Sequence, residues 1–291
     1  MSRPAVSVVV PTYDRPARLA RCLEALAAQR PPPGGFEVVV VDDGSPAPAS
    51  GAGVEGRLDL RVLRQANAGP AVARNAGAAA TRGALLAFTD DDCFPEPGWL
   101  CALARAADAD PAALLIGRTV NALPRNPFAE ASQLLISYLY EYYGPESGRV
   151  ILVASNNMAL SAAAFREMGG FDETFGLAAG EDRDLSARWH EDGRPARFVA
   201  DATVRHAHEM GAGGFWRQHL HYGRGAVHFH TLRAGRGIEQ AGPEPLRFYT
   251  DLLAFPLRRS RRPRAWLHAG LLGVAQVANA LGYALGARAE R

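Results

Sequence analysis

The sequence predicts an α/β fold in which helices flank a mostly parallel central sheet, and three observations carry that prediction. Short β-branched runs such as Val6–Val10 and Phe36–Val41 are apolar at nearly every position. Segments with helical spacing of apolar residues separate these runs. Continuously apolar strands that alternate with helices are typical of a parallel sheet covered on both faces. With 291 residues, 48% of them hydrophobic, the chain is long enough for a large core.

The first hundred residues supply four of the predicted strands in order. Val6–Val10 is the first, and Pro16 then suits the first turn of a helix whose apolar residues follow at intervals of three or four. Phe36–Val41 is the second strand. The remaining elements of this part are the strands Leu60–Leu63 and Leu85–Phe88 and an alanine-rich helix over residues 70–80.

The later part of the chain is predicted to be mainly helical. A helix before Gly169 ends in a glycine cap, Glu181 opens another helix, and Ala196–Val199 forms a strand. Residues 265–287 contain no acidic residue and no arginine, and they are predicted to form one long helix. We therefore expect a first domain over residues 1–225 and a helical C-terminal extension over residues 226–291.

Three consecutive aspartates, Asp90–Asp92, follow the fourth predicted strand. Adjacent carboxylates repel one another, and a hard divalent cation such as Mg²⁺ or Mn²⁺ is the usual partner that offsets the repulsion. Alternate side chains of an extended segment face the same way, so we expect Asp90 and Asp92 to share one ion. Asp91 is expected to point elsewhere and to tolerate substitution best. Taken alone, the cluster also fits a solvated acidic turn.

Polar motifs end three of the predicted strands. The first strand ends at Pro11–Asp14, the second at Asp42–Ser45 and the fourth at Asp90–Asp92. Parallel strands end at one edge of their sheet, and open α/β sheets bind ligands at that edge. The three motifs are therefore predicted to meet in one ligand site.

Composition argues against several other classes of function. The net charge is only +2, which gives no field that would favour a nucleic-acid partner. All 32 basic residues are arginine, so no lysine Schiff base or lysine general base is available. The three cysteines form no CxxC pair, and the N-terminus shows no signal-peptide segment. We therefore expect a reducing, cytoplasmic location.

Six motifs occur in a fixed order between residues 5 and 210. They are Val8–Tyr13, Val41–Ser45, Asn67–Asn75, Phe88–Asp92 followed by Pro97–Leu100, Gly169–Glu173, and Gly180–Asp182. With these motifs the chain resembles the family 2 glycosyltransferases, which are inverting sugar-nucleotide enzymes of the GT-A fold. The resemblance implies a Rossmann-like GT-A domain, to which the predicted C-terminal helices are an extension.

The resemblance assigns donor-site roles to residues of the first four motifs. Asp42 would accept a hydrogen bond from the imide N–H of a uracil ring, since a carboxylate is a strong acceptor. Arg74 would lie near the base or the diphosphate, which arginine binds through paired hydrogen bonds. Taken alone, the Asp42 motif also fits a plain turn and Arg74 a surface arginine. The other donor-site positions are Pro11, Thr12, Tyr13, Asp14, Asp43, Asn67, Gly69, Asp90 and Asp91.

The resemblance places metal-binding and catalytic roles on five residues. Asp90 and Asp92 would form the DxD element that holds Mg²⁺ or Mn²⁺, and His206 is the third candidate ligand. Asp182 would be the general base that deprotonates the acceptor hydroxyl, with Glu181 beside it. The macrodipole also favours acidic residues at a helix N-terminus, and a lone histidine is more often structural.

The predicted C-terminal extension contains a strongly basic segment. Residues 258–264 include five arginines, and the helix predicted over 265–287 follows directly. On a helical projection His268, Gln276, Asn279 and Tyr283 share one face, while leucines lie mainly on another. This pattern predicts that 258–287 lies on a membrane surface, where arginines are attracted to anionic lipid. The alternative is a helix packed on the catalytic domain or in an oligomer.

The resemblance therefore implies a metal-dependent transferase of the hexosyltransferase type. It would move a sugar from a nucleotide donor, expected to be a UDP-sugar, to a hydroxyl of a glycan or lipid-linked acceptor. Cell-envelope or exopolysaccharide synthesis at the cytoplasmic face of the cell membrane is the expected setting. Two alternatives stay open. One is a sugar-phosphate nucleotidyltransferase, although the chain has no lysine, and the other is a non-catalytic nucleotide-binding scaffold at the membrane.

Overall fold

The computed structural model describes residues 4–51, 53–144, 153–176, 179–238 and 244–289. Its strands are β1 (Val6–Thr12), β2 (Phe36–Asp42), β3 (Leu60–Arg64), β4 (Leu85–Thr89), β5 (Cys93–Pro95), β6 (Leu114–Asn121), β7 (Asn157–Ser161) and β8 (Ala196–His206). Its helices are α1 (Pro16–Ala27), α2 (Pro70–Ala79), α3 (Trp99–Ala109), α4 (Pro127–Tyr143), α5 (Ala162–Glu167), α6 (Glu181–Glu191), α7 (Ala212–Gly235), α8 (Leu246–Arg259) and α9 (Arg264–Ala289). The elements predicted from the sequence are all present, and α9 contains the whole helix predicted over 265–287.

The strands form one mixed sheet in the order β3–β2–β1–β4–β7–β6–β8–β5. The first half is parallel as predicted, because β1 pairs in parallel with β2 and β4, and β2 with β3. In the second half β6 and β8 are parallel, but β7 runs antiparallel to β4 and β6, and β5 antiparallel to β8. Thr12 is the register partner of Asp42, so β1 and β2 end at one edge. The strand order reverses at β1, which is where open α/β sheets bind ligands.

Helices cover both faces of the sheet, and the apolar run of β1 contributes to both buried clusters. On one face Val8 packs with Leu23 of α1 and Trp99 of α3. On the other face Val9 belongs to a cluster that contains Phe165 of α5. Successive residues of a strand point to opposite faces, so an uninterrupted valine run is what a sheet buried on both sides requires. The polar residues of this half are thereby concentrated at the strand ends.

The C-terminal helices pack tightly against the rest of the chain through glycines of α7. This helix is continuous through the domain boundary expected between residues 225 and 226. A Cβ at Gly223 would lie 2.1 Å from the carbonyl oxygen of Asn279, and Gly282 of α9 meets the backbone of α7 equally closely. A Cβ at Gly225 would lie 1.9 Å from the carbonyl oxygen of Ala179. Backbone contacts therefore hold α7 between α9 and the segment that leads into α6.

The long helix α9 exposes a large part of its apolar surface, although Leu272 and Ala275 are buried. Trp266 is 71% exposed, Val277 61% and Leu267 51%. Its polar residues Gln276 and Asn279 line an internal cavity instead. By length and composition α9 is the one helix among the described residues that could cross a membrane. Its packing on α7 agrees with the alternative in which this helix lies against the catalytic domain.

Candidate active site

A large cavity of about 1890 Å³ lies at the carboxyl ends of β1, β2 and β4. The start of α6 and the helices α4, α7, α8 and α9 complete its walls. The predicted site residues that line it are Pro11, Thr12, Tyr13, Asp43, Arg74, Asp90, Asp91, Asp92, Glu181, Asp182 and His206. The polar motifs at the strand ends therefore meet in one site, as the strand order predicts.

The two aspartates of the predicted DxD element have different partners. The Arg74 guanidinium donates a hydrogen bond to Asp90 Oδ1 at 2.7 Å, and Asp90 stays partly exposed. Asp92 is buried, and its Oδ1 lies 3.2 Å from Nε2 of His206. Burial raises the pKa of Asp92, but the hydrogen bond and charge of His206 outweigh it and leave that pKa below its ordinary value. The described geometry thus joins Asp92 to His206, and Asp90 to Arg74.

Asp91, the middle member, faces a third direction. It is 2% exposed, and the Thr12 hydroxyl donates a hydrogen bond to its Oδ2 at 2.7 Å. Burial raises the pKa of Asp91 to about 6, against the opposing effects of Thr12 and Arg15. The expectation that Asp91 points away from its neighbours matches this geometry. The expectation that it is the most replaceable of the three finds no support in these contacts, because it fastens the end of β1 to the end of β4.

Two arginines at the start of α1 reach the aspartates and were not anticipated from the sequence. Arg15 Nη1 lies 3.3 Å from Asp91 Oδ1, and Arg18 Nη1 lies 3.4 Å from Asp92 Oδ2. Residues three apart share a helix face, so both can turn toward the strand ends. The sequence feature that could have indicated these contacts is the spacing of Arg15 and Arg18 directly after Pro11–Asp14. Arginine is common throughout this chain, so that feature is weak evidence.

The two aspartates after β2 organise the loop that follows them. Asp42 is fully buried, and its two carboxylate oxygens accept hydrogen bonds from the backbone N–H groups of Ser45 at 2.9 Å and Ala49 at 3.0 Å. It is not among the cavity-lining residues, and its assignment to a uracil ring stays a prediction. Asp43 does line the cavity, and it accepts hydrogen bonds from the backbone N–H groups of Ala68 and Gly69.

Three more residues assigned to the donor site lie outside the cavity lining. Asp14 is exposed, has a φ of 52° and borders a smaller neighbouring cleft. Asn67 is exposed as well. Gly69 precedes α2 and contributes its N–H to Asp43 rather than a surface to the cavity. On this side the cavity wall includes Pro11, Thr12, Tyr13, Arg15 and Asp43.

Arg74 connects the aspartate cluster to the start of α6. Its side chain is buried, with Nη1 2.9 Å from Glu181 Oε1 and Nη2 2.7 Å from Asp90 Oδ1. Burial would lower the pKa of this guanidinium, but the charges of Asp90 and Glu181 raise it above its ordinary value. It lines the cavity, as expected for a residue near a diphosphate, but two carboxylates already hold it in place.

The start of α6 carries the predicted base and its neighbour. Gly180 precedes the helix with a φ of 124°, and a Cβ there would lie 2.8 Å from Cε1 of Phe175, so only glycine suits this position. Glu181 is 4% exposed. Its Oε2 is buried and has no hydrogen-bond partner among the described residues. Asp182 follows and lines the cavity.

The surroundings of Asp182 suit a general base. Its Oδ2 accepts a hydrogen bond from the backbone N–H of Ser155 at 3.2 Å. Burial and the neighbouring charge of Glu181 raise the pKa of Asp182 to about 7, against the effect of Arg74. A carboxylate with a pKa near neutrality that borders a cavity is in the range in which proton transfer from a hydroxyl is most effective.

The segment before β7 forms the next part of the wall. Ser155 and Asn156 line the cavity. Asn157 is instead buried in the sheet, where its Oδ1 accepts a hydrogen bond from Trp99 Nε1 at 2.8 Å. The antiparallel course of β7 beside β4 brings this segment next to the aspartates.

The residues around Asp92 fit a divalent cation. Asp92, Cys93 and His206 bring ligand atoms within 4.8 Å of one another. Burial raises the pKa of Cys93 well above its ordinary value, so it stays a thiol and is a poor ligand for such an ion. Carboxylate oxygens suit both Mg²⁺ and Mn²⁺, while an imidazole favours the transition ion. Asp90 is not a member of this group. Burial lowers the pKa of His206, but the hydrogen bond and charge of Asp92, together with the charge of Asp90, raise it above its ordinary value.

Beyond Asp182 the cavity continues between the helices of the C-terminal part. The wall there is aromatic and polar, and it includes Tyr140, Tyr143, Phe248, Gln276, Asn279 and Tyr283. The last three are on the face of α9 that the sequence identifies as polar. Part of that face therefore borders the cavity.

Comparison with known proteins identifies the family. A family model described as "Glycosyl transferase family 2" matches residues 7–168, which is more than half of the chain. The chain belongs to glycosyl transferase family 2. The mixed sheet with its flanking helices is the GT-A fold, so the fold expected from the resemblance is confirmed.

Curated relatives match about two thirds of this chain. Validoxylamine A glucosyltransferase from Streptomyces hygroscopicus subsp. limoneus is 35% identical over an alignment of 222 residues, and the match covers 66% of this chain and 49% of that protein. The pre-mycofactocin glycosyltransferase of Mycobacterium tuberculosis is 35% identical over an alignment of 210 residues, and the match covers 70% of this chain and 43% of that protein. The chain thus spans about half the length of the curated relatives it matches.

Solved structures share the fold over nearly the whole chain. The mannosyltransferase PcManGT from Pyrobaculum calidifontis, in complex with GDP-Man and Mn²⁺, has a TM-score of 0.58 at 22% identity and covers 99% of this chain and 80% of its own. Residues 1–349 of TarS from S. aureus give a TM-score of 0.54 at 20% identity, with 98% and 91% covered. At these identities the likeness supports the fold.

Proposed function

We propose that this protein is a metal-dependent inverting glycosyltransferase that moves a sugar from a nucleotide donor to an acceptor hydroxyl. The observation that carries the proposal is a shared cavity, in which Asp182 faces the same space as the aspartates 90–92. Inverting transfer needs a base for the acceptor and positive charge for the leaving group. Membership of family 2 supports the reaction class.

In the proposed step Asp182 takes the proton of the acceptor hydroxyl. The hydroxyl oxygen forms a bond to C1 of the sugar while the bond between C1 and the diphosphate oxygen breaks. The electron pair of that bond leaves with the nucleoside diphosphate, and attack from the opposite face inverts C1. Arg15, whose side chain is 51% exposed beside Asp91, supplies positive charge for the departing diphosphate.

We assign the divalent cation to Asp90, Asp92 and His206. When bound, the ion supplies a Lewis acid that stabilises negative charge on the diphosphate. The contact of 3.2 Å between Asp92 and His206 supports the assignment, since both side chains border the cavity. The presence of Mn²⁺ with GDP-Man in the PcManGT complex supports the kind of ion.

We propose a UDP-sugar as the donor and a hydroxyl of a glycan or lipid-linked compound as the acceptor. The resemblance to sugar-nucleotide enzymes and the relative named as a glucosyltransferase support a hexose donor. Tyr13 is 49% exposed at the end of β1, and its ring is available to stack on a base. Cell-envelope or exopolysaccharide synthesis is the proposed setting.

We also propose that the outer face of α9 rests on the cytoplasmic face of the cell membrane. The arginines of residues 258–264 precede an outward stripe that begins with Trp266 and Leu267. Basic residues attract anionic lipid, and exposed apolar side chains insert at the interface. The protein should co-sediment with vesicles that contain anionic lipid. The double substitution Trp266→Ser and Leu267→Ser should weaken its binding to these vesicles. Equal recovery with purely zwitterionic vesicles would contradict the role of the arginines.

Calorimetry with UDP, with and without Mn²⁺, followed by a donor screen for UDP release, tests the main proposal. Asp92→Ala should abolish transfer while circular dichroism stays unchanged, and Asp108→Ala, an exposed aspartate on α3, should leave transfer intact. Normal donor turnover by Asp92→Ala with Mn²⁺ present would refute the mechanism. Metal-dependent UDP binding without transfer or hydrolysis would favour the scaffold, and synthesis of a nucleotide sugar from UTP and a sugar phosphate would favour the nucleotidyltransferase.

A further inference from the structure

Two arginines share one aromatic ring in the wall of the cavity beyond Asp182. The guanidinium carbon of Arg183 lies 4.3 Å from the ring centroid of Phe229, and that of Arg233 lies 5.6 Å from it. Both arginines line the cavity. His230 lines it too, with its ring 5.5 Å from that of Phe229. Three groups that carry or accept positive charge are therefore gathered around one phenylalanine.

The acidic groups nearby are engaged in different ways. Glu191 pairs with Arg233, with Oε1 3.0 Å from Nε. Arg183 makes no ion pair with a carboxylate among the described residues. Glu244 also borders this part of the cavity, but it accepts hydrogen bonds from the hydroxyls of Tyr142 and Tyr143. Among the described residues, Arg183 therefore presents to the cavity a guanidinium that no carboxylate holds in an ion pair.

The electrostatics of the cluster agree with its geometry. Arg183 lines the cavity and keeps accessible surface, and desolvation by the surrounding protein lowers its pKa. The charge of Arg233 lowers it further, while Tyr143, Asp182 and Glu244 act in the opposite direction. Burial and the charges of the two arginines also lower the pKa of His230. An anion bound among these groups would relieve the repulsion.

We propose that Arg183 and Arg233, with His230 beside them, bind a phosphoryl group of the acceptor. Two guanidinium groups present planar sets of N–H donors that match phosphoryl oxygens. Arg183 directly follows the proposed base Asp182. The donor diphosphate is assigned to a different place, where the cation held by Asp90 and Asp92 and the side chain of Arg15 would bind it. The inference rests on the proposed function and assigns the acceptor's chemical class. The phosphoryl group belongs either to a soluble compound or to a lipid headgroup.

The test uses the full chain with the donor site filled by UDP and Mn²⁺, titrated with methyl phosphate by calorimetry. Wild-type protein should bind methyl phosphate saturably, and Arg183→Gln should weaken binding at least tenfold. Arg224→Gln is the matched control, because Arg224 is exposed on α7 and does not line the cavity. If Arg183→Gln fails to fold, Arg183→Lys carries the test, since it keeps the charge but loses the paired donors. Absence of saturable binding, or equal affinity in wild type and the Arg183 variant, would overturn the proposal.

A second titration distinguishes the two sources of the phosphoryl group. Hexyl phosphate that binds at least tenfold more tightly than methyl phosphate supports a lipid headgroup, and equal affinity supports a soluble phosphorylated acceptor. If UDP itself does not bind, the proposed function fails separately. The phosphate titration is then made without nucleotide. Weaker phosphate binding by the Arg183 variant than by the wild type supports the proposed site. Phosphate binding that is weakened only by replacing Arg15 overturns it.

Discussion

Replacing Arg74 with alanine tests how the two ends of the cavity are held together. Arg74 bridges Glu181 at 2.9 Å and Asp90 at 2.7 Å while only 4% exposed. Its loss leaves Glu181, also 4% exposed, as a buried carboxylate without a cation. Deleting one partner of a buried ion pair costs about 3–5 kcal/mol. Asp90 keeps contact with solvent and should add little. At about 2 °C per kcal/mol for a chain of this length, Tm should fall by roughly 6–10 °C.

Denaturation followed by tryptophan fluorescence measures this loss, since Trp99 and Trp189 are both buried. An exposed ion pair provides the matched control. Arg57 Nη2 and Glu24 Oε1 lie 2.6 Å apart, but the two side chains are 52% and 55% exposed, so solvent screens the pair and Arg57→Ala should cost much less than Arg74→Ala. Adding Glu181→Gln to Arg74→Ala should restore part of the stability, because no buried charge is then left unpaired. If Arg74→Ala costs no more than Arg57→Ala, the bridge does not join the two ends and the reasoning is wrong.

Three further predictions concern catalysis and local geometry. Asp182→Asn should slow sugar transfer by about 10²–10⁴-fold with UDP affinity by calorimetry unchanged, and normal turnover would place the base elsewhere. Because the base acts when ionised and the pKa of Asp182 is raised to about 7, kcat should fall as pH drops through that value. A kcat that stays level well below neutral pH would count against this residue. Gly180→Ala should lower stability by about 1–3 kcal/mol, because φ is 124° and the added Cβ would lie 2.8 Å from Phe175. Thermal melts should show a smaller loss for Gly193→Ala, where φ is 68° and nothing lies within 4 Å of the added Cβ, and equal losses would mean that the clash costs nothing.

The sequence predicts well where the site residues converge, because the topology of the strands alone determines that location. Parallel strands such as β1, β2 and β4 end at one edge, so the motifs that follow them must converge. No knowledge of side-chain contacts is needed for that step. The helix that starts at Glu181 is also readable, since acidic residues after glycine are typical of a helix N-terminus.

Individual contacts were harder to predict, because the same residue type serves several purposes. Asp42 and Asp43 are neighbours of the same kind, yet one is buried under a loop and the other lines the cavity. Only the path of the chain from Ser45 to Ala49 decides between them, since that path supplies the N–H groups that Asp42 binds. The contact of Arg15 was equally hard to predict, because its partner Asp91 lies 76 residues away in the sequence.

The orientation of α9 shows a different limit. Helical periodicity separates the face with Gln276 and Asn279 from the leucine face, and this separation is correct. It does not say which face is turned inward, because that depends on what the helix covers. Here Gln276 and Asn279 face the cavity, and Trp266, Leu267 and Val277 are exposed on the outside. Leu272 and Ala275 are buried, so the usual assumption that the apolar face of a helix is buried holds for only part of the apolar residues of α9.

The glycine contacts of α7 affect how this fold can be modified. Two helices whose backbones touch cannot slide or rotate past each other, so Gly223 fixes the position of α9, and Gly225 fixes α7 against Ala179. Side chains on the far wall of the cavity, such as Gln276, can therefore be replaced one at a time without displacing Asp182. If α9 of a relative replaced this helix alone, its backbone would have to pack against Gly223 as closely as the backbone of Asn279 does. Segments exchanged between relatives should therefore include α7, α8 and α9 together, and the unit of recombination is larger than the extension.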